Sequence, residues 1–322
     1  MASPKKIEII VAFAALYVIW GSTYLGIFYA IQSIPPFLMA GSRLFIAGII
    51  MYTIARVQGA ARPTAISWRS SVIIGACLLL GGNGGVTISE KWVPTGLAAL
   101  LVASVPIYIV LLGWLTNAAP RPSPMVWLGL LGGFVGVGVL VGPALINSGA
   151  NPSQNHLALG MLILLVGSLA WSAGSLYSRT AKGSTSLFLA AGQQMICGGA
   201  LLFALGLTLG EYRNLDPENI TLRSAAAFVY LVLIGAIVGY TAYFWLLRNC
   251  DPAKVATYAY INPIVAVLLG TAFAGEHVTL RMLLAAGLII GSVAVVITAQ
   301  QLKPKAKAPP LPVAVPEVGC RP

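Results

Sequence analysis

The sequence predicts an all-α polytopic membrane protein of about ten transmembrane helices, arranged as two inverted five-helix repeats around a central cavity. Three observations predict it. The 322-residue chain is 58% hydrophobic and only 8% charged, whereas a soluble domain carries roughly 25% charged residues, so there are too few charges to cover a water-exposed surface. The apolar runs are continuous and about 20 residues long, the length that crosses a bilayer as a helix, where a membrane barrel would show alternating segments of about 10 residues. The second half also repeats the plan of the first.

The runs place spans at 8–31, 36–57, 70–90, 94–117, 125–142, 157–178, 186–209, 222–247, 252–274 and 279–299. The first follows "MASPKK" and is too long for a signal-peptide core, with no clear cleavage site, so a retained span is expected. The second holds Arg43, a permanent cation in an apolar segment. The third ends at Glu90 and carries Asn83 within "GGNGG". The fourth bears Pro106 near its middle, and the ninth bears Pro263. Proline removes an N–H and clashes with the preceding turn, so a bend or break is expected at both, either an ordinary kink that shapes packing or a substrate-facing break. A break frees carbonyls that need a cavity, water or a polar neighbour, and Asn262 stands beside the second. The tail "KPKAKAPPLPVAVPEVGCRP" reads as a disordered, solvated end.

Basic residues set the expected orientation. Most of the nineteen Lys and Arg fall in the loops of one side, among them Lys5, Lys6, Arg56, Arg62, Arg69, Arg121, Arg179 and Lys182. Loops of the other side hold Lys91, Arg213, Arg223 and Arg281. The richer side is expected in the cytoplasm, with both termini. The net charge of +11 is thus a topology signal, and no nucleic-acid partner is expected. Cys77, Cys197, Cys250 and Cys320 form no CxxC pair or Cys/His cluster. No metal, disulfide or cofactor is expected.

The internal repeat is readable as text. "AGSRLFIAG" (40–48) lines up with "AGQQMICGG" (191–199), placing Gln194 opposite Arg43. "LYVIWGS" (16–22) faces "VGSLAWS" (166–172), bringing Trp20 roughly to Trp171. Residues 82–115 face 240–273, pairing Pro94 with Pro252 and Pro106 with Pro263, and "GGFVG" (132–136) faces "GLIIG" (287–291). Five spans per half make the second half enter from the opposite side, the inverted repeat typical of secondary transporters. The expected units are 1–145, 146–302 and the tail 303–322.

The elements "YVIWGSTYLGI", "PPFLMAGSRLFIAG", "GNGGVTISE", "VPTGLAALLVASVPIY", "ATYAYINPIVAVLLG" and "GE" at 275–276 resemble the EamA unit of the drug/metabolite transporter superfamily. The likeness covers nearly all of residues 7–299 and is closest to the YedA-like branch of inner-membrane exporters. The resemblance implies a ten-helix basket with both ends cytoplasmic, an inner-membrane location, and a cavity formed by helices one, three, four, six, eight and nine. It also implies outward movement of metabolites such as amino acids or drug-like amphiphiles. The family arginine of the second helix matches Arg43. First-half units often carry an acid after the fourth helix, as Glu276 follows the ninth, but here Asn117 stands in that region.

Candidate substrate-binding residues are Trp20, Ser22, Tyr24, Arg43, Asn83, Glu90, Trp171, Gln194, Tyr240, Tyr258 and Asn262, with Pro106 and Pro263 as helix breaks. Arg43 lies about 10 Å inside its helix at 1.5 Å per residue. It is either a structural or interfacial arginine, able to snorkel towards the headgroups, or a cation on the outer cavity wall that binds anionic groups or locks a gate. Glu90 is either a helix-end charge or a partner of Arg43 or of substrate amines. Trp20, Trp171 and Trp245 lie deeper than an interfacial belt, and either pack against lipid and core or form aromatic cavity walls with Tyr240, Tyr243, Tyr258 and Tyr260. His156 and His277 are expected in solvated outer loops. No acid lies near the middle of a span, which argues against an obligatory mid-membrane proton site and leaves a facilitator, an exchanger, or coupling through Glu90. The expected function is a permease for small metabolites, acting as a monomer or homodimer in lipid. A membrane enzyme, a scaffold or a channel is the alternative, and no HExxH, GxSxG or paired intramembrane acids support the first of these.

Overall fold

The computed structural model describes residues 6–147, 152–184, 186–250, 255 and 257–301, with the side chains of Leu247, Arg248, Tyr260, Gln300 and Gln301 also outside the description. The tail and the start of the span expected at 252–274 therefore lie outside the described residues. Among those described, the secondary structure is all helical. The helices are α1 (Lys6–Ala30), α2 (Pro36–Val57), α3 (Ala65–Ser89), α4 (Thr95–Leu115), α5 (Pro124–Ile146), α6 (Pro152–Ser178) and α7 (Leu187–Thr208). Then come α8 (Leu222–Tyr230 continuing through Leu231–Val238 and Gly239–Asn249), α9 (Tyr258–Phe273) and α10 (Leu280–Gln301). Nine are long and apolar enough to cross a membrane. The exception among these is α9, which the structure describes over 16 residues.

Local chemistry fixes the helix starts. The side chains of Thr64, Ser123, Ser186 and Thr221 each accept a hydrogen bond from a backbone N–H of the first turn of α3, α5, α7 and α8. Pro36 and Pro124 sit at first positions, where the missing N–H costs nothing. Two helices borrow a cap from elsewhere. Glu211 accepts from the N–H groups of Phe37 and Leu38 at the start of α2, at 3.3 and 2.9 Å. Glu276 accepts from those of Thr95 and Gly96 at the start of α4, at 2.5 and 3.0 Å. A carboxylate there neutralises the positive end of the helix dipole.

Three expected boundaries move. α3 begins at Ala65 rather than 70, with Thr64 as its cap and Ser67 of its first turn buried rather than solvated. Ser67 exchanges hydrogen bonds with Gln193 of α7. α5 runs on through Pro143 to Ile146. α6 begins at Pro152, so His156 lies in a helix, stacked on Trp92 at 5.6 Å, and not in a loop.

The packing pairs α2 with α7 and α5 with α10. α1 packs on α8 and α9, and α6 packs on α3 and α4. The α2–α7 crossing is set by glycine. A Cβ on Gly41 would stand 2.5 Å from the Phe203 nitrogen, one on Gly199 2.5 Å from that of Phe45, and one on Gly48 2.7 Å from that of Ile196. Lipid provides no hydrophobic drive between helices, so close backbone approach supplies the contact. Large apolar side chains such as Leu128, Leu131, Val166, Leu268 and Leu284 are exposed, as a lipid-facing surface requires.

Gly199→Val is expected to lower the melting temperature of the purified protein in detergent, at a cost of about 1–3 kcal/mol from overpacking. Gly138→Ala, at a helical glycine with open space around it, is expected to leave it unchanged or slightly raised.

Candidate substrate cavity

Irregular backbone concentrates around one cavity of about 800 Å³. α3 and α8 each contain a π-helical stretch, Ala76–Asn83 and Leu231–Val238, and residues of both line the cavity. Wide turns of this kind shift side-chain register and are frequent at functional sites. α4 is interrupted at Ala103–Ser104, between Thr95–Val102 and Val105–Leu115, just ahead of Pro106. The Ser104 hydroxyl donates to the Leu101 carbonyl at 2.5 Å, and that of Ser172 to the Val105 carbonyl at 3.3 Å. Val102, Ala103 and Pro106 line the cavity.

At Pro263 the break is not found, which leaves the alternative of a kink. α9 is continuous through it. The carbonyl it deprives of a donor is that of Ala259, one turn earlier, and Ala259, Asn262 and Pro263 all line the cavity. A helix can carry one unpaired carbonyl beside a hollow without breaking.

Among the described residues the cavity lining reaches exposed positions on one side. These are Ser178, Arg179 and Gly183, at the mouth formed by the end of α6 and the segment after it. Towards the opposite membrane face the lining ends at Ile27, Arg43, Val86 and Leu231, all buried or half-buried. Arg43 is 4% exposed and Nη2 donates to Asn83 Oδ1 at 2.5 Å. This corrects the snorkelling alternative, because the guanidinium turns inward to an amide acceptor. Trp20 forms the hub of an aromatic wall, with ring centroids 5.3 Å from Tyr240, 5.2 Å from Tyr243 and 5.0 Å from Tyr258, the last edge-on at 89°. Such pairs prefer tilted contacts like these. Tyr24, Trp171 and Gln194 also line the cavity.

Two expectations, for Ser22 and Glu90, need correction, while Trp245 follows its core-packing alternative. The Ser22 hydroxyl is outside the lining, hydrogen-bonded to Tyr230 at 2.6 Å between α1 and α8. Trp245 packs in the cluster around Leu16 and Leu246. Glu90 is buried, at 3% exposed, behind the cavity wall rather than on it. Sequence reasoning missed Ser168, which lines the cavity with a buried hydroxyl. The available signal was its spacing, one helical turn before Trp171 and so on the same face.

The wall leaves polar atoms unsatisfied. Arg43 Nε, Ser168 Oγ and Asn262 Oδ1 are buried and have no hydrogen-bond partner among the described residues. An unmade hydrogen bond of this kind costs about 1–3 kcal/mol. A donor, a hydroxyl and an acceptor on largely apolar walls form the pattern of a small-molecule site.

This architecture defines the class: a multi-pass α-helical membrane protein built as a transporter. The sequence pattern of the EamA-like transporter family matches residues 7–142 and 158–298, and the chain belongs to that family. It is 36% identical over 294 residues to the inner membrane transporter YedA of Escherichia coli (strain K12), covering 91% of this chain and 92% of that one. It is 22% identical over 284 residues to the transporter YoaV of Bacillus subtilis (strain 168), covering 88% and 94%. A solved crystal structure at 20% identity overlays with a TM-score of 0.59, covering 92% of this chain and 100% of its own, which shows the fold alone.

Asn83→Leu removes the acceptor of Arg43 and is expected to cost about 1.5–3 kcal/mol, the range for hydrogen bonds to charged groups. Thermal melting in detergent checks this, and Asn83→Asp, which keeps an acceptor, is expected to melt closer to the parent.

Proposed function

We propose that the protein is a secondary transporter of the inner membrane that moves small amphiphilic metabolites outward by alternating access. The solutes are amino acids, small aromatic compounds or drug-like amphiphiles. The single observation that carries the reading is the cavity with unsatisfied Arg43, Ser168 and Asn262 on aromatic walls. A cavity that needs a polar guest but excludes bulk apolar lipid fits a solute with both characters.

The halves are inverted five-helix repeats, 1–145 and 146–302. The reciprocal packing supports this. What α1 does to α8 and α9, α6 does to α3 and α4, while α2–α7 and α5–α10 pair like with like. A twofold axis lying in the membrane plane generates such reciprocity. By the distribution of basic loops, the mouth beside Arg179 opens to the cytoplasm and both termini lie there. The inner-membrane location follows the printed name of the Escherichia coli relative. Relatives named as transporters support transport without chemistry. The working unit is a monomer or homodimer in lipid.

Counterflow in proteoliposomes tests the reading, with pooled labelled amino acids and aromatic metabolites. The expected result is accumulation of at least one solute, reduced about tenfold or more by Tyr258→Ala, a loss on the order of 1.4 kcal/mol. Folded protein that exchanges none of the pool would contradict it for these solutes, and catalytic conversion of any would favour an enzyme.

A further inference from the structure

At the blind end of the cavity, Arg43 on the wall and Glu90 behind it are buried ionisable groups that the packing leaves incompletely partnered. Arg43 commits Nη2 to Asn83 and leaves Nε without an acceptor. Glu90, at the end of α3, has neither carboxyl oxygen hydrogen-bonded among the described residues. The Phe28 backbone faces it without reaching hydrogen-bond geometry. The two side chains lie close enough to interact electrostatically. A buried ion pair is favourable only when its geometry is good and its remaining atoms are hydrogen-bonded. Neither condition holds here.

Charge accounting narrows the possibilities. The titratable or charged groups around Glu90 are Tyr24 from α1, Arg43 from α2 and Glu276 from the segment after α9. Tyr240 from α8 faces Arg43. Glu276 is already committed to the N–H groups of Thr95 and Gly96. Arg43 lines the cavity and Glu90 does not. A guest entering from the mouth therefore meets the guanidinium, with the acid behind it.

We propose that Arg43 is the receptor for a substrate carboxylate, and that Glu90 competes with the substrate for the free edge of the guanidinium. With a proton on Glu90, the acid has no claim on Arg43, and Nε is open to a carboxylate guest. When Glu90 gives its proton to water, its carboxylate becomes the internal acceptor and the guest loses its anchor. A planar guanidinium suits this exchange because its fork matches either carboxylate. The aromatic wall around Trp20 holds the apolar part of the guest. Substrate anion and proton thus occupy the same state together. The assignment rests on the transport reading above and adds the substrate class and its control.

The test is equilibrium binding by the purified full chain in detergent, read by tryptophan fluorescence, since Trp20 and Trp171 line the cavity. The probes are phenylacetate and its neutral analogue phenylacetamide. The acid is expected to bind at least about tenfold tighter than the amide. Its affinity is expected to fall about tenfold across a range of rising pH over which Glu90 ionises. Glu90→Gln, which keeps the shape, is expected to bind phenylacetate tightly and evenly across that range. Arg43→Lys, which keeps charge but not the fork, is expected to lose most of the preference for acid over amide. Equal binding of acid and amide by the parent protein would overturn the proposal, as would no saturable binding of phenylacetate. A pH dependence that survives Glu90→Gln unchanged would overturn the role of Glu90. Counterflow of some solute alongside equal binding of the two probes leaves the transport reading standing. Selective acid binding with no flux of any solute overturns the transport reading instead.

Discussion

In a bilayer, a polar group without a partner has no water to fall back on, and this constraint organises the whole molecule. Regular helix meets it for nearly all of the backbone. Four exceptions converge. The interruption of α4 at Ala103–Ser104, the wide turns of α3 and α8, and the carbonyl freed by Pro263 all involve residues on one cavity. Side chains follow the same rule. Arg43, Ser168 and Asn262 carry unsatisfied atoms on that wall, while the outward faces are leucine, valine and phenylalanine. Glu90 and the Thr95 hydroxyl depart from this rule, buried without a hydrogen-bond partner among the described residues and away from the lining.

The same constraint explains how the cavity is framed. The tightest crossing, α2 on α7, brings backbones together through Gly41, Gly48, Gly192 and Gly199. The starts of α2 and α4 are closed by carboxylates from remote segments, Glu211 and Glu276. These clamps lie on the face away from the mouth. At the end where Arg43 sits, the cavity lining is buried or half-buried among the described residues. A cation at the closed end gives an anionic group a reason to travel the full depth of the cavity.

Much of this was legible in the sequence, because span length and small-residue pattern are written directly in residue types. The aligned "AGSRLFIAG" and "AGQQMICGG" turned out to be the two strips that meet at the α2–α7 crossing. The cavity aromatics were legible as tryptophan and tyrosine too deep for an interfacial belt. What was not legible depended on direction and partners. Ser67 read as loop, yet faces protein rather than water. Ser22 read as cavity, yet a half-turn of helix points it to Tyr230. Pro263 read as a kink or a break, and the hollow beside it made a break unnecessary. The burial of Glu90 could not be seen, since only packing distinguishes a helix-end acid in water from one sealed behind a wall.

The central claim is that the two halves move against each other around a shared cavity, so that its two ends open in turn. Distances between paired spin labels test it most directly in reconstituted protein. One pair spans the mouth, at Arg179 and Asn249, and the other spans the closed end, at Lys91 and Asn219, all exposed positions. The account predicts a second population in which the mouth distance shortens while the opposite distance lengthens, with its share changed by a transported solute. Distances that stay fixed under every solute and pH, or that widen at both ends together, would contradict it.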